Sequence, residues 1–134
     1  MYDIYNSYLM APCSIPMDKM LAIYRNMMDE LDDKDEEAYV FYRDILQASL
    51  DYARLRSRWN LMGQKERLES DPERTRKHNR VILSINMLAR YLVQRGKKAA
   101  WRQALGDENR DPSVRKAIGD YACFLVFLQC LDAR

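Results

Sequence analysis

The single histidine of the chain, His78, is the side chain best suited to act as a base or a metal ligand. It lies among Arg76, Lys77 and Arg80, and these cations would repel a metal ion. Nucleophilic catalysis needs a base beside Ser or Cys, and one histidine among cations supplies that base poorly. Neither of the glycine-rich phosphate-binding motifs, G-x-x-x-x-G-K-[ST] and G-x-G-x-x-G, occurs. The sequence therefore predicts no catalytic residue and no enzyme.

The three cysteines, Cys13, Cys123 and Cys130, form no C-x-x-C pair, and no other ligands cluster beside them. An odd number of cysteines without a secretory signal segment predicts reduced thiols in a cytoplasmic protein. The longest apolar run, residues 121–128, is shorter than the roughly 18 to 20 residues that cross a bilayer. We therefore predict no metal, no cofactor and no membrane anchor.

A basic segment over residues 54–80 is the clearest indication of a polyanion-binding surface. It holds nine Lys or Arg residues against four Asp or Glu residues. Guanidinium groups bind phosphate with paired hydrogen bonds, and an exposed Trp59 could stack on a base. The candidate polyanion-binding residues are Arg54, Arg58, Lys65, Arg67, Arg74, Arg76, Lys77 and Arg80. Nucleic acid is one predicted partner. The alternative is a solvated helix face, because Trp59 also continues a buried helical stripe.

The C-terminal segment, residues 121–131, is apolar around almost its whole circumference when it is read as a helix. Such a helix lies either at the centre of its own domain or beneath another subunit. The candidate interface residues are Tyr121, Phe124, Val126, Phe127, Cys130 and Leu131. Burying all of them within one small domain is difficult. The segment therefore favours a homodimer or contact with another protein, and a central buried helix is the alternative.

Helical periodicity extends over most of the sequence, while Gly and Pro are scarce, at four residues each. We predict an all-α fold, a single-domain helical bundle spanning residues 1–134. It has four main helices plus one short helix, organised around a long helix of about residues 34–69. The other helices are predicted at 16–31, 72–95, 97–105 and 112–131. Residues 1–13 are predicted either to dock on the core or to form an extended arm.

Local signals set these boundaries. Asp32 or Asp33 is predicted to cap the long helix, which either stops near Gly63 or frays on beyond it. Asp71 and Pro72 are predicted to begin the next helix as its N-cap and first residue. The glycines predicted to end helices are Gly96 and Gly106.

The net charge of +2 conceals an uneven distribution, with −7 over residues 1–53 and +9 over residues 54–134. Such a chain can pair its own halves, pair with a second copy, or offer its basic side to a polyanion. No motif identifies a known family. We predict a non-enzymatic protein–protein interaction or regulatory module that self-associates. The alternative prediction is a nucleic-acid-binding protein that uses the segment Arg54–Arg80.

Overall fold

The structure is a computed structural model that describes residues 15–107 and 112–132, with side chains described for 15–107 and 114–131. Every regular element in these ranges is a helix. The helices are α1 (Met17–Asp29), α2 (Glu36–Trp59), α3 (Gln64–Gln94), α4 (Ala100–Ala104) and α5 (Pro112–Asp132). The predicted all-α class, with four main helices and one short helix, is confirmed. The predicted arm or docked segment at 1–13 lies outside the described residues.

The helices share one hydrophobic core. α2 packs most extensively against α3, and α5 lies against both of them. α1 contacts α4 and α5, and α4 also contacts α3. Each helix contributes a fully buried side chain, namely Met27, Ile45, Leu88, Trp101 and Tyr121 in chain order. Isolated helices of these lengths are marginal in water, so this shared core stabilises them.

Asp35 caps α2, and the prediction of Asp32 or Asp33 at this position is wrong. The Asp35 carboxylate accepts a hydrogen bond from the Ala38 backbone N–H at 3.2 Å. It also accepts one from the Tyr91 hydroxyl at 2.7 Å, and this bond lowers the pKa of Asp35. Tyr91 comes from the far end of α3, so the contact that fixes the cap is invisible to local sequence signals.

The long helix predicted over 34–69 is shorter than expected, because α2 ends at Trp59. Gly63 is the N-cap of α3, and the turn between the helices occupies residues 60–63. The Arg67 side chain donates from Nε to the Trp59 carbonyl at 3.0 Å. This bond satisfies one of the carbonyl groups left free at the end of α2. α3, with 31 residues, is therefore the longest helix.

Pro72, predicted as the first residue of a helix, lies in the interior of α3. Proline lacks an N–H group, and inside a helix it typically costs about 3 kcal/mol relative to Ala. Asp71, predicted as an N-cap, accepts instead from the Arg74 side chain at 2.9 Å. The prediction was wrong because an Asp-Pro pair looks the same at a helix start and inside a helix held by tertiary contacts.

The prediction that Gly96 and Gly106 end helices is confirmed. Gly96 follows the C-cap of α3 with φ of 86°, and Gly106 follows that of α4 with φ of 87°. At the end of α3 the Lys97 N–H donates to the Leu92 carbonyl and the Gly96 N–H to the Val93 carbonyl, both at 3.0 Å. These two bonds are the paired pattern that closes a helix with a left-handed residue.

One carboxylate joins the end of α1 to the start of α4. Glu30 Oε2 accepts from the backbone N–H groups of Lys98 at 3.2 Å and Ala99 at 3.0 Å. Glu30 Oε1 accepts from the indole N–H of Trp101 at 2.7 Å. Ala99 has a left-handed backbone with φ of 50°, which non-glycine residues rarely adopt. Glu30 therefore holds a strained connection and a buried indole in place.

Candidate functional site

A cleft of about 470 Å³ opens between the second half of α2, the first half of α3 and the start of α5. This volume is within the range of about 300 to 1,000 Å³ that is typical of ligand pockets. The lining holds four cations, and no carboxylate belongs to its described residues. The lining residues are Tyr52, Arg56, Arg74, Thr75, His78, Arg115 and Lys116. We call this cavity the basic cleft.

His78 is buried in the wall of the basic cleft and connects α3 to α5. Its Nε2–H donates to the backbone carbonyl of Arg115 at 2.6 Å. Because a carbonyl only accepts, Nε2 carries the proton and Nδ1 is the unprotonated nitrogen of the neutral ring. Burial lowers the pKa of His78, and the nearby Arg115, Arg74 and Arg56 cations also lower it. The ring is therefore neutral at pH 7 and fixes the start of α5.

Tyr52 forms a second buried part of the cleft wall. Its ring meets the His78 ring edge-on, with centroids 5.2 Å apart and an interplanar angle of 67°. Burial raises the pKa of Tyr52 to about 12, so its hydroxyl is protonated at neutral pH. A Cβ atom added at Gly119 would lie 2.8 Å from the Tyr52 hydroxyl oxygen. α5 thus packs against Tyr52 at a position that has no side chain.

Hydrogen bonds orient two of the four cations of the cleft. Arg74 donates from Nε at 3.0 Å and from Nη2 at 2.9 Å to the same oxygen of Asp71. Arg115 donates from Nη2 to the side-chain oxygen of Asn79 at 2.5 Å. Each bond restricts a long side chain that would otherwise lose more rotamer entropy on binding a ligand. The arrangement of these side chains suits an anion.

Trp59 lies beside the basic cleft and is half-buried. The guanidinium carbons of Arg56, Arg67 and Arg74 lie 5.8, 6.0 and 5.5 Å from the centroid of its ring system. Cations at these distances from an indole ring are attracted to it. Trp59, the side chain predicted to stack on a base, therefore lies among three arginines that place positive charge next to the cleft.

The predicted polyanion-binding residues extend from the end of α2 over the start of α3 to the middle of α3. The exposed ones are Arg54, Arg58, Lys65, Arg76 and Arg80, and the half-buried ones are Arg67, Arg74 and Lys77. Lys77 pairs with Glu73 at 3.2 Å, and Arg80 lies 3.7 Å from Asp51. Arg74 is the member of the set that also lines the basic cleft.

Sequence reasoning missed the contribution of α5 to this site. Arg115 and Lys116 are more than 30 residues from the basic segment in sequence, and the fold brings them to it. His78 was considered as a metal ligand, whereas the structure uses it to hold the Arg115 backbone. Gly119 was a usable signal, because a glycine inside a helical pattern often marks a close approach.

The predicted interface residues of α5 divide into two groups. Tyr121, Phe124 and Val126 are buried in the chain's own core, at 3% exposure or less. Phe127 and Cys130 are half-buried, and Leu131 is 44% exposed. The first group is covered without a partner, as expected for the alternative of a central helix. A homodimer surface on this helix is therefore left with the second group.

The two charged regions of the chain lie at opposite ends of α2. The acidic residues 32–37 lie at its start, and Arg54, Arg56 and Arg58 lie near its end. Because α2 has 24 residues, its length is about 36 Å. Among the described residues, Arg95 and Glu37 form the one ion pair that involves this acidic region, at 3.8 Å. The basic end is therefore not neutralised by the acidic segment of the same chain.

Within residues 15–107 and 112–132, no helix combines the length and hydrophobicity needed to cross a membrane. The same described ranges contain no group of three His, Cys, Asp or Glu residues arranged to hold a metal ion. Comparison of the chain with protein families, curated proteins and solved structures gives no match.

Proposed function

We propose that this protein binds nucleic acid through the basic end of its bundle. The observation that carries the proposal is the convergence of cations from the end of α2 and the starts of α3 and α5. Phosphate groups are bound by such clusters of Arg and Lys, and each contact releases a counterion from the nucleic acid. Arg is the more frequent cation here, and its planar guanidinium suits phosphate oxygens.

The exposed cations of this surface are available to a ligand. Arg54, Arg58, Lys65 and Arg76 are exposed, and none of them forms an ion pair with another described residue. A solvated helix face would account for each of them singly. It would not account for the addition of Arg115 from a distant part of the chain. The proposal is for a binding protein, with contacts mainly to the phosphate backbone.

Replacing Arg54, Arg58, Lys65 and Arg76 together with Gln is expected to weaken binding of single-stranded and duplex DNA by more than about a hundredfold at 50 mM salt. Each lost phosphate contact also lowers the slope of log affinity against log salt by about 0.7 to 0.9. For the quadruple variant the slope should therefore fall by about 3. Fluorescence anisotropy over a salt series measures both quantities on the same samples.

The matched control replaces four exposed cations elsewhere in the fold, Lys19, Arg25, Arg90 and Lys97, with Gln. It removes the same charge and should leave affinity and slope much closer to those of the unmodified protein. If the two quadruple variants lose affinity equally, attraction is due to overall charge. Unchanged binding by the first variant contradicts the proposal.

We propose self-association through the end of α5 as a second function of the fold. Phe127, Cys130 and Leu131 have the i, i+3, i+4 spacing that places them on one helical face. Leu131 is 44% exposed although it continues an apolar helix. A second copy of this face would cover these side chains, and apolar burial stabilises by about 25 cal/mol per Å².

Light scattering at low and high salt is expected to give a mass of about twice 15.9 kDa in both conditions. Leu131→Asp should convert that dimer to a monomer, while Leu83→Asp, at another exposed leucine, should not. A dimer that dissociates at high salt would instead be held by the acidic and basic ends of two copies. A monomer at both salt concentrations would contradict self-association.

A further inference from the structure

Three cations of the basic cleft have no carboxylate partner among the described residues. These are Arg56 from α2 and Arg115 and Lys116 from α5, whereas Arg74 already pairs with Asp71. Like charges gathered around one cavity repel each other, and an anion inside the cavity relieves that repulsion. The cleft therefore has more positive charge than its own described carboxylates balance.

We infer that the basic cleft binds a phosphomonoester group, as found at the end of a nucleic-acid strand; the inference rests on the proposed binding of nucleic acid. A phosphomonoester carries a charge of about −1.5 to −2 at pH 7 and three strong acceptor oxygens. An internal phosphodiester carries a single negative charge. A cleft with three cations that have no carboxylate partner among the described residues therefore favours the monoester over the diester.

The size and the lining of the cleft suit a single terminal group as the ligand. The buried Tyr52 and His78 close its inner side, while the cations come from helices on either side. A volume of about 470 Å³ suits a phosphate with an attached nucleoside and is too small for a duplex. An internal phosphodiester would need chain leaving the cleft on both sides.

The groups that would hold the phosphate are already positioned. His78 fixes the Arg115 backbone, and Asn79 holds its guanidinium through Nη2, which leaves its other N–H groups for phosphate oxygens. Arg56 is drawn to the Trp59 ring at 5.8 Å. The Thr75 hydroxyl adds a neutral donor to the lining. Such preorganisation increases affinity because less entropy is lost on binding.

The test compares oligonucleotides of one sequence that differ only in their ends, with a 5′-phosphate, a 3′-phosphate or hydroxyl groups. We expect a terminal phosphate to raise affinity about tenfold in fluorescence anisotropy. Arg115→Gln combined with Lys116→Gln should abolish the roughly tenfold difference between phosphate-ended and hydroxyl-ended strands, while the loss of two cations also weakens binding of both strands. Lys116→Gln alone gives a smaller loss and avoids the Asn79 contact, in case the double variant is unstable.

A second readout uses His78, the only histidine of the chain, as an NMR reporter inside the cleft. Adenosine monophosphate and inorganic phosphate, added separately at constant pH, should each shift its ring signals. The oligonucleotide and mononucleotide experiments together distinguish a strand end from a free nucleotide, because only the strand needs the exposed cations outside the cleft. The variant lacking Arg54, Arg58, Lys65 and Arg76 should keep the tenfold preference for a phosphate end although both strands bind more weakly.

Three outcomes bear on the two proposals. Equal affinity for phosphate and hydroxyl ends, with salt-dependent binding retained, overturns the phosphomonoester site and leaves nucleic-acid binding intact. A His78 shift with adenosine monophosphate, without binding of any oligonucleotide, supports the phosphomonoester site and overturns the proposed function. No binding of oligonucleotides and no His78 shift overturns both.

Discussion

Glu30→Ala is expected to lower the free energy of unfolding by about 3 kcal/mol, equivalent to a fall of about 10 °C in melting temperature. The substitution removes the acceptor for three N–H groups, those of Lys98, Ala99 and the Trp101 indole. Trp101 is 1% exposed, so its N–H cannot turn to water. A buried donor without a partner costs about 1 to 3 kcal/mol. Urea unfolding measured by circular dichroism gives the value.

Glu30→Gln tests whether both carboxylate oxygens are needed. The amide keeps the shape of the side chain but has one acceptor oxygen, so its NH₂ group must face either the indole N–H or the backbone N–H groups. We expect Glu30→Gln to lower the free energy of unfolding by about 1 to 2 kcal/mol. Asp29→Ala is the matched control, since it removes a carboxylate from the neighbouring, exposed position. Similar losses for Asp29→Ala and Glu30→Ala would contradict the assigned role of Glu30.

The indole N–H signals of the two tryptophans offer a separate check on Glu30. In Glu30→Ala the Trp101 signal should move and exchange faster with solvent, because its acceptor is lost. Trp59, whose ring lies beside Arg56, Arg67 and Arg74, should be unaffected. An unchanged Trp101 signal would mean that another group has replaced Glu30.

The helical spacing of apolar residues and the glycines at helix ends predicted the fold class, because both are local properties of the chain. Ala38, Ile45, Ala48, Tyr52 and Leu55 are buried along α2, as expected for a helix with one apolar face, and α3 ends before Gly96 as predicted. The errors at Asp35 and Pro72 have a different origin. Tyr91 selects the cap of α2 from the far end of α3, and an Asp-Pro pair was given the meaning that it has at helix starts. The first error comes from a contact between distant residues, and the second from a local signal that has two meanings.

The candidate site was predicted only in part, because it too depends on contacts between residues that are distant in sequence. A run of cations near Arg74 is visible in the sequence, and the structure places it from the end of α2 to the middle of α3. The cleft itself depends on α5, whose Arg115 reaches α3 through His78 and Asn79. No spacing rule connects residues so far apart. The environment of His78 was described correctly as cationic, but its hydrogen bond could not be inferred.

Gly119→Val is expected to destabilise the fold by about 3 kcal/mol, although valine is normally the better helix former. A Cβ atom at this position would lie 2.8 Å from the Tyr52 hydroxyl and 3.2 Å from a carbon of its ring. Tyr52 is 6% exposed and packed on His78, so it cannot move away freely. Gly63→Ala is the control, since a Cβ there has no atom within 4 Å, and it should cost less than about 1 kcal/mol.

A double-mutant cycle with Gly119→Ala and Tyr52→Phe identifies the contact that causes the loss. Removing the hydroxyl takes away the closest atom and leaves the ring carbons at 3.2 and 3.3 Å. Gly119→Ala should therefore destabilise the unmodified protein by about 1 kcal/mol and cost less in the Tyr52→Phe background. Equal costs in both backgrounds would show that the hydroxyl is not the obstacle. Because Tyr52 also lines the basic cleft, Gly119→Ala should shift the His78 ring signals even without a phosphate ligand.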